Sequence, residues 1–424
     1  MSDVATKRIL AAIAVAIVVA AQVVLLSHAA TGLGSPPPTP VPPNGSLSPF
    51  PTRLATPADA SVAPQITAAS ALLADLDSGQ VLDAKSANEP RPIASLTKIM
   101  TSLLTFERAD LDDIVTIDPS VVFHRNDYGA DSILGLRAGE RVSVRDLLYA
   151  TILGSANDAA EALAIHIAGS QDAFVRMMNA RAHALGMRHT VFRSVSGLDD
   201  RGRSTVSDLL VLVRAADSTP GFDAITATRE DSIPAPAGPD RRIQNRNALL
   251  WLYPGAFGTK TGTTHLAGTC LVASARRDGR RLVSIVLGAP HEAFSDSAAL
   301  LNYGFAGFAE RTVVAAGDDQ GTVAIRGGTV PVVAGATLTA LIPVAPGEQV
   351  SSRVSIDPTA AFPPSRGQRV GSVSLSVGGL PLGRVPLRVS AVPPPPPSGG
   401  AWWVRSSLAI GRALASAVHA VAAT

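Results

Sequence analysis

The sequence predicts an α+β domain followed by a small all-β domain. Strand-like segments stand at both ends of the stretch 65–309, helical segments fill its middle, and short alternating strands take over from 310 to 390. Strands from both ends of a stretch with a helical middle belong in one sheet.

The first element is Ala71-Leu72-Leu73-Ala74-Asp75-Leu76, then the turn signal Asp77-Ser78-Gly79, then Gln80-Val81-Leu82-Asp83, which together read as a hairpin. Beyond Pro90 and Pro92, the apolar residues Ile99, Leu103 and Phe106 recur at helical spacing. Further helices are predicted over 144–153, 158–167, 173–185 and 207–216. Strand character returns over 269–275 and 281–287 around Asp278-Gly279, a hairpin signal, and a helix over 295–308 closes the domain.

In the second domain Val373, Leu375 and Val377 alternate with Ser372, Ser374 and Ser376. Val385, Leu387 and Val389 alternate in the same way with Arg384, Pro386 and Arg388. Frequent Gly and Pro cut the region into short strands, which predicts a β-sandwich-like unit over 310–390 with no catalytic residue of its own.

Both termini carry apolar segments. Lys7-Arg8 precede an 18-residue run from Ile9 to Leu26, interrupted only by Gln22 and followed by Ser27-His28-Ala29-Ala30. Residues 1–30 therefore read as an export signal, with cleavage after Ala29 or Ala30 and retention as a membrane anchor both open. A Pro-rich spacer over 31–64 holds the folded part away from the membrane. A second Pro/Gly spacer, 391–400, leads to a tail over 401–424 that begins with Trp402 and Trp403. Arg405, Arg412 and His419 lie seven apart and form one polar stripe, so the tail reads as membrane-associated or, alternatively, as a packed terminal helix.

Composition excludes several classes of function. A net charge of +2 spread over 424 residues without a basic run offers nucleic acid no footing. The single cysteine, Cys270, precludes an intramolecular disulfide and a thiolate zinc site, and its apolar neighbours Leu271 and Val272 place it in a core. His124, His166, His183, His189 and His291 show no metal-ligand spacing, so neither a metal nor a cofactor is expected. Only four of the 36 basic residues are lysine, at positions 7, 85, 98 and 260. Arginine stays protonated while lysine can be driven neutral, so a position that keeps lysine in such a chain invites a chemical reason.

Three short motifs supply one: Ser95-Leu96-Thr97-Lys98, Ser155-Ala156-Asn157 and Lys260-Thr261-Gly262, in that order. Ser86-Ala87-Asn88 also fits the middle pattern, but it lies upstream in a Pro-flanked extended stretch. Ser95 and Lys98, three apart at a helix start, fall on one face within mutual reach. A serine hydroxyl is a poor nucleophile until a base takes its proton. Lys98 can be that base only when neutral, which from a pKa of about 10.4 costs about 4 kcal/mol. Burial and a second cation, Lys260, are the expected sources. The Ser95 N–H at the helix start would be one oxyanion donor. Ser155 would relay a proton to the leaving amine, and Asn157 would hold Lys98 and the substrate backbone. Lys260 and Thr261 would lie on a strand edge, with Lys260 recognising a terminal carboxylate and Gly262 letting a substrate approach the strand closely.

With these residues the chain resembles the serine-type D-alanyl-D-alanine carboxypeptidases, the low-molecular-mass penicillin-binding proteins. The resemblance runs from about Ala69 to Ser390 and includes Ala94-Ser95-Leu96-Thr97-Lys98-Ile99-Met100-Thr101, Gly154-Ser155-Ala156-Asn157-Asp158-Ala159-Ala160, Ser196-Gly197-Leu198-Asp199-Asp200, Lys260-Thr261-Gly262-Thr263-Thr264 and Gly367-Gln368-Arg369-Val370-Gly371. It implies a penicillin-binding/β-lactamase-like catalytic domain, an antiparallel sheet with flanking helices and a helical subdomain, and an acyl-enzyme on Ser95 formed from the penultimate D-Ala of a peptidoglycan stem pentapeptide. Thr263 would give the second oxyanion N–H, β-lactams would acylate the same serine, and the enzyme would work on the outer face of the cytoplasmic membrane. Arg203-Ser204-Thr205 departs from the tyrosine or histidine that relatives carry before Ser-Thr-Ala. The alternatives are a transpeptidase or endopeptidase, a class A β-lactamase, which would need a Glu-x-x-Leu-Asn run that is absent after Asn157, and a non-catalytic envelope-binding protein.

Overall fold

The computed structural model describes residues 62–392, apart from 124–126, 128, 130, 131, 292 and 345–348. The export segment, most of the first spacer, the second spacer from 393, the C-terminal tail and His124 lie outside the described residues.

Ser70–Asp75 (β1) and Val81–Lys85 (β2) are the predicted first hairpin. Two short hairpins that the sequence did not announce, Ile114–Thr116 (β3) with Arg141–Ser143 (β4) and Glu230–Ile233 (β5) with Arg241–Gln244 (β6), belong to the helical middle. At three or four residues each they are too short to show a period of two. Ala256–Thr264 (β7), Gly268–Arg277 (β8) and Arg280–Ala289 (β9) complete an antiparallel sheet of order β2-β1-β9-β8-β7, in which β1 pairs with β9. The two ends of the domain thus share one sheet, as expected, and β7 is its edge.

Period-two alternation sorts the strand residues between two cores. Leu72, Val272, Ile285 and Leu287 face the helices Lys98–Arg108 and Val206–Asp217, packing against Leu103 and Leu209. Leu73, Leu271, Leu282 and Val286 face the helix Ala293–Gly307 and pack against Leu300 and Leu301. With both faces covered, β8 and β9 read as nearly continuous apolar runs. A third core, with Leu147, Leu148, Leu163, Ile225 and Ile243, holds the helical subdomain together, and Phe106 packs against both this core and the first. There the buried carboxylate of Glu140 accepts from Arg241 Nη1 at 2.6 Å.

The second domain follows without a linker: Phe308–Val314 (β10) starts where the helix Ala293–Gly307 stops. Asp319–Ile325 (β11), Gly328–Ala334 (β12), Leu338–Pro343 (β13), Val350–Ile356 (β14), Arg369–Val377 (β15) and Leu380–Val389 (β16) make up the rest. A five-stranded sheet β11-β12-β16-β15-β14 and the ribbon β10-β13 enclose one apolar core that includes Val314, Val332, Val373 and Leu387. Gln80, in the turn between β1 and β2, fixes this domain to the first: its Nε2 donates to Leu341 O at 2.6 Å and its Oε1 accepts from Leu341 N at 2.8 Å.

Candidate active site

Ser95 lies in a 3-10 turn, Ala94–Thr97, that feeds the helix Lys98–Arg108. The sequence placed Ser95 at the start of an α-helix, and the tighter turn is a refinement with a consequence. In 3-10 geometry residues three apart eclipse one another, so the Lys98 side chain is brought directly over Ser95. Ala94 holds φ at +47°, a costly left-handed conformation for a residue with a Cβ, immediately before the serine. Ser155 does the same at φ +59° in the turn between the helices Val144–Ile152 and Asn157–Ala168. Strained backbone therefore supports two of the predicted site residues.

Lys98 has no solvent exposure. Its Nζ donates to Ser95 Oγ at 2.9 Å, to Asn157 Oδ1 at 2.8 Å and to Ser196 O at 2.7 Å. A charged ammonium uses all three donors in this way, whereas a neutral amine keeps two N–H groups and one lone pair. The Ser196 carbonyl and Asn157 Oδ1 can only accept, so they claim both N–H groups and direct the lone pair at Ser95 Oγ, which can donate. Burial lowers the Lys98 pKa to about 7, helped by the Arg246 guanidinium and opposed by Glu161 and Asp158.

Lys260 lies on β7, 1% exposed, with Nζ donating to Thr261 O at 3.2 Å. Burial is the main force holding it well below the ordinary lysine range, followed by Lys98 and Arg246. The structure thus adds a cation to the expected pair: the two lysines bear on each other, and Arg246, which cannot deprotonate, bears on both. Nothing local in the sequence marks Arg246, and only the fold brings it here.

Gly262 is buried on β7, and a Cβ built on it would stand 2.9 Å from Ser95 N and 3.1 Å from Ile93 O. The close approach it permits is thus between β7 and the Ser95 turn itself. Thr261 is half-buried and Thr263 exposed on the same edge strand. Asn157 Nδ2 donates to Gly129 O at 2.9 Å and its backbone N to Ser132 O at 2.7 Å. The neighbouring Asp158, also missed from sequence, accepts from the backbone N of Leu134 and Gly135 at 2.8 Å and of Leu136 at 3.0 Å. Arg246 Nη1 donates to Ser132 Oγ at 2.9 Å. Gly129, Ser132, Leu134, Gly135 and Leu136 are thereby pinned along the helical side of the site.

Cys270 is buried and free, its thiol pushed up to about 12 by burial, so it is inert core as read from the sequence. His265 is exposed on the turn after β7. Among the described residues no group of His, Cys, Asp and Glu could hold a metal ion.

A family model described as D-alanyl-D-alanine carboxypeptidase matches residues 57–291, more than half of the chain. The chain belongs to this peptidase family. The D-alanyl-D-alanine carboxypeptidase DacC of Escherichia coli (strain K12) is 36% identical over 344 residues, 77% of this chain and 84% of its own length. Among solved structures, penicillin binding protein 5 from Haemophilus influenzae superposes with a TM-score of 0.61 at 30% identity, covering 78% of this chain and 98% of that one. A variant of a Streptomyces DD-transpeptidase gives 0.53 at 32% identity, covering 57% of this chain and 99% of that one. The expected fold class, the serine-type D-Ala-D-Ala carboxypeptidase family and the link to peptidoglycan metabolism are borne out. The match to the first relative is longer than the catalytic domain alone, whereas the match to the transpeptidase is about the length of that domain.

Proposed function

We propose that this protein removes the terminal D-alanine from peptidoglycan stem pentapeptides through an ester on Ser95, and that β-lactams acylate the same oxygen. The reading is carried by one observation: the buried Lys98 amine, poised near neutrality, has a single lone pair left, and it faces Ser95 Oγ at 2.9 Å.

Ser95 Oγ attacks the carbonyl carbon of the penultimate D-Ala while its proton passes to Lys98. The carbonyl oxygen gains charge and is met by the backbone N–H groups of Ser95 and Thr263. The C–N bond to the terminal D-Ala then breaks as Ser155 gives its proton to the departing amine and takes up the one held by Lys98, which leaves both groups as they began. Asn157 keeps Lys98 aligned and accepts the peptide backbone. Lys260, with Thr261 beside it, binds the terminal carboxylate, and a carboxylate arriving next to a depressed amine favours its protonation, so recognition and charging of Lys260 occur together. Gly262 lets the edge strand approach the serine, and the peptide is laid along that edge as an added strand. Water hydrolyses the ester, restoring the Ser95 hydroxyl and leaving a peptide one residue shorter.

The proposed setting is the outer face of the cytoplasmic membrane, with residues 1–30 as export signal or anchor and 401–424 as a membrane-associated tail. The family acts on the cell wall, and among the described residues no helix is long and apolar enough to cross a membrane. The catalytic domain is assigned to 65–309 and the accessory β-domain to 310–390.

The test incubates the purified protein with a diacetyl-Lys-D-Ala-D-Ala peptide and with a fluorescent penicillin. Release of D-Ala, and a mass-spectrometric label on Ser95, are expected. A label on another residue would overturn the mechanism. Adding an acceptor amine separates the rival reading: cross-linked product exceeding hydrolysis would make the protein a transpeptidase on the same acyl-enzyme.

A further inference from the structure

We infer that Asp200 is a positioning residue that sets the oxyanion geometry by fastening the outer end of β7 to the loop that also holds Lys98 and the Ser95 turn. The inference rests on the acyl-enzyme reading above and adds to it a residue outside the three motifs that supply the reacting groups.

Residues 194–200 touch both walls of the site. On the helical wall, Val195 O accepts from Thr101 Oγ1 at 2.6 Å and Ser196 O accepts from Lys98 Nζ at 2.7 Å, so two consecutive carbonyls hold the loop to the helix Lys98–Arg108. Gly197, at φ +88°, lies so close to the serine turn that a Cβ on it would stand 1.9 Å from Ala94 O. Ser194 Oγ braces the bend, accepting from Gly197 N at 2.9 Å. The loop then crosses to the other wall, where Asp200 Oδ1 accepts from Thr264 Oγ1 at 2.5 Å. That hydroxyl also accepts from Ala267 N at 3.0 Å, so it is fixed in direction.

Thr264 is the last residue of β7 and directly follows Thr263, the proposed second oxyanion donor. As an edge strand, β7 is paired on one side only, through Thr263 with Thr269 and Thr264 with Gly268 of β8. Its free side must remain open if a peptide is to lie there, so no strand can steady it. A side-chain anchor at its end restrains it without blocking that edge. The tolerance is small, since Gly262 already brings β7 to within a Cβ contact of Ser95 N. A misplacement of about 1 Å in such a site can cost on the order of a hundredfold in rate.

The experiment compares full-length wild type, Asp200→Ala, Asp200→Asn, Thr264→Val and the Asp200→Ala/Thr264→Val double variant. It reads the acylation rate constant per active site titrated with fluorescent penicillin, and kcat and KM for the peptide. Asp200→Ala is expected to lower the acylation rate constant and kcat by about tenfold with KM changed less than about twofold. Asp200→Asn keeps an acceptor oxygen and should recover most of the rate, and Thr264→Val should match Asp200→Ala. The double variant should be no slower than either single one, because the two residues act through one bond. A purely structural role would reduce the fraction of titratable sites and leave the rate per site intact, and that result overturns the inference. So do independent, multiplying effects of the two single variants. Absence of label on Ser95 in the wild type would instead fail the acyl-enzyme reading, and is read separately.

Discussion

Gly262 and Ser95 meet through backbone alone: the missing side chain of the glycine leaves room for the serine N–H, 2.9 Å from where a Cβ would be. The Ser95 N–H, proposed as an oxyanion donor, the proposed nucleophile and the edge strand are thus held at one spacing by an absence. Gly262→Ala is expected to push β7 and the 3-10 turn apart, because the neighbouring atoms are backbone and cannot rotate away. Overpacking of this kind costs about 1–3 kcal/mol of stability. Penicillin acylation should fall by about a hundredfold or more, which stopped-flow labelling would measure alongside a urea titration.

Removing the nucleophile should separate chemistry from folding. Ser95→Ala is expected to abolish penicillin labelling and lower D-Ala release by more than about 10⁴-fold. Thermal unfolding should be little changed, since Ser95 is only half-buried.

The Lys98 amine must be neutral to accept the Ser95 proton, and its pKa is about 7. Acylation is therefore expected to rise with pH, with a midpoint near 7, and to level off above it. Lys98→Arg keeps a permanent charge and should lose at least about 10³-fold at every pH, with no recovery in alkali. A pH profile of acylation in the two proteins checks both statements.

Stability carries the same signature with a definite sign. Lys98 is protonated in the unfolded chain up to about pH 10.4 but only up to about 7 when folded. Between those values the unfolded state binds the extra proton, so stability rises with pH across that window, by at most about 1.4 kcal/mol per pH unit for one group. Below pH 7 both states are protonated and Lys98 adds no slope. Lys98→Met should flatten the rise, as followed by urea denaturation at pH 7, 8 and 9.

The Glu140–Arg241 pair joins two parts of the helical subdomain, with side chains 3% and 9% exposed. Arg241→Met strands a buried carboxylate and is expected to cost about 3–5 kcal/mol. Adding Glu140→Gln removes the stranded charge and should restore part of that loss in equilibrium unfolding.

By itself the sequence determined the framework and the family, and it singled out the groups proposed to react. Scarce lysines at 98 and 260, the spacing of Ser95 to Lys98 and the ordered motifs pointed to them, because proximity of three residues on one turn is a local property. Long periodic segments gave the helices and the strands β1, β2, β8 and β9, because their period survives over five or more residues. Tertiary structure alone decided that Arg246 bears on Lys98, that Asn157 and Asp158 pin Gly129, Ser132, Leu134, Gly135 and Leu136, and that Thr264 at the end of β7 meets Asp200. Arg246 lies 14 positions before Lys260, while Asp200 and Thr264 are 64 apart, so no local pattern links them. These partners meet only because the sheet and the helical subdomain close on one cleft, and burial there lowers the pKa of Lys98 to about 7.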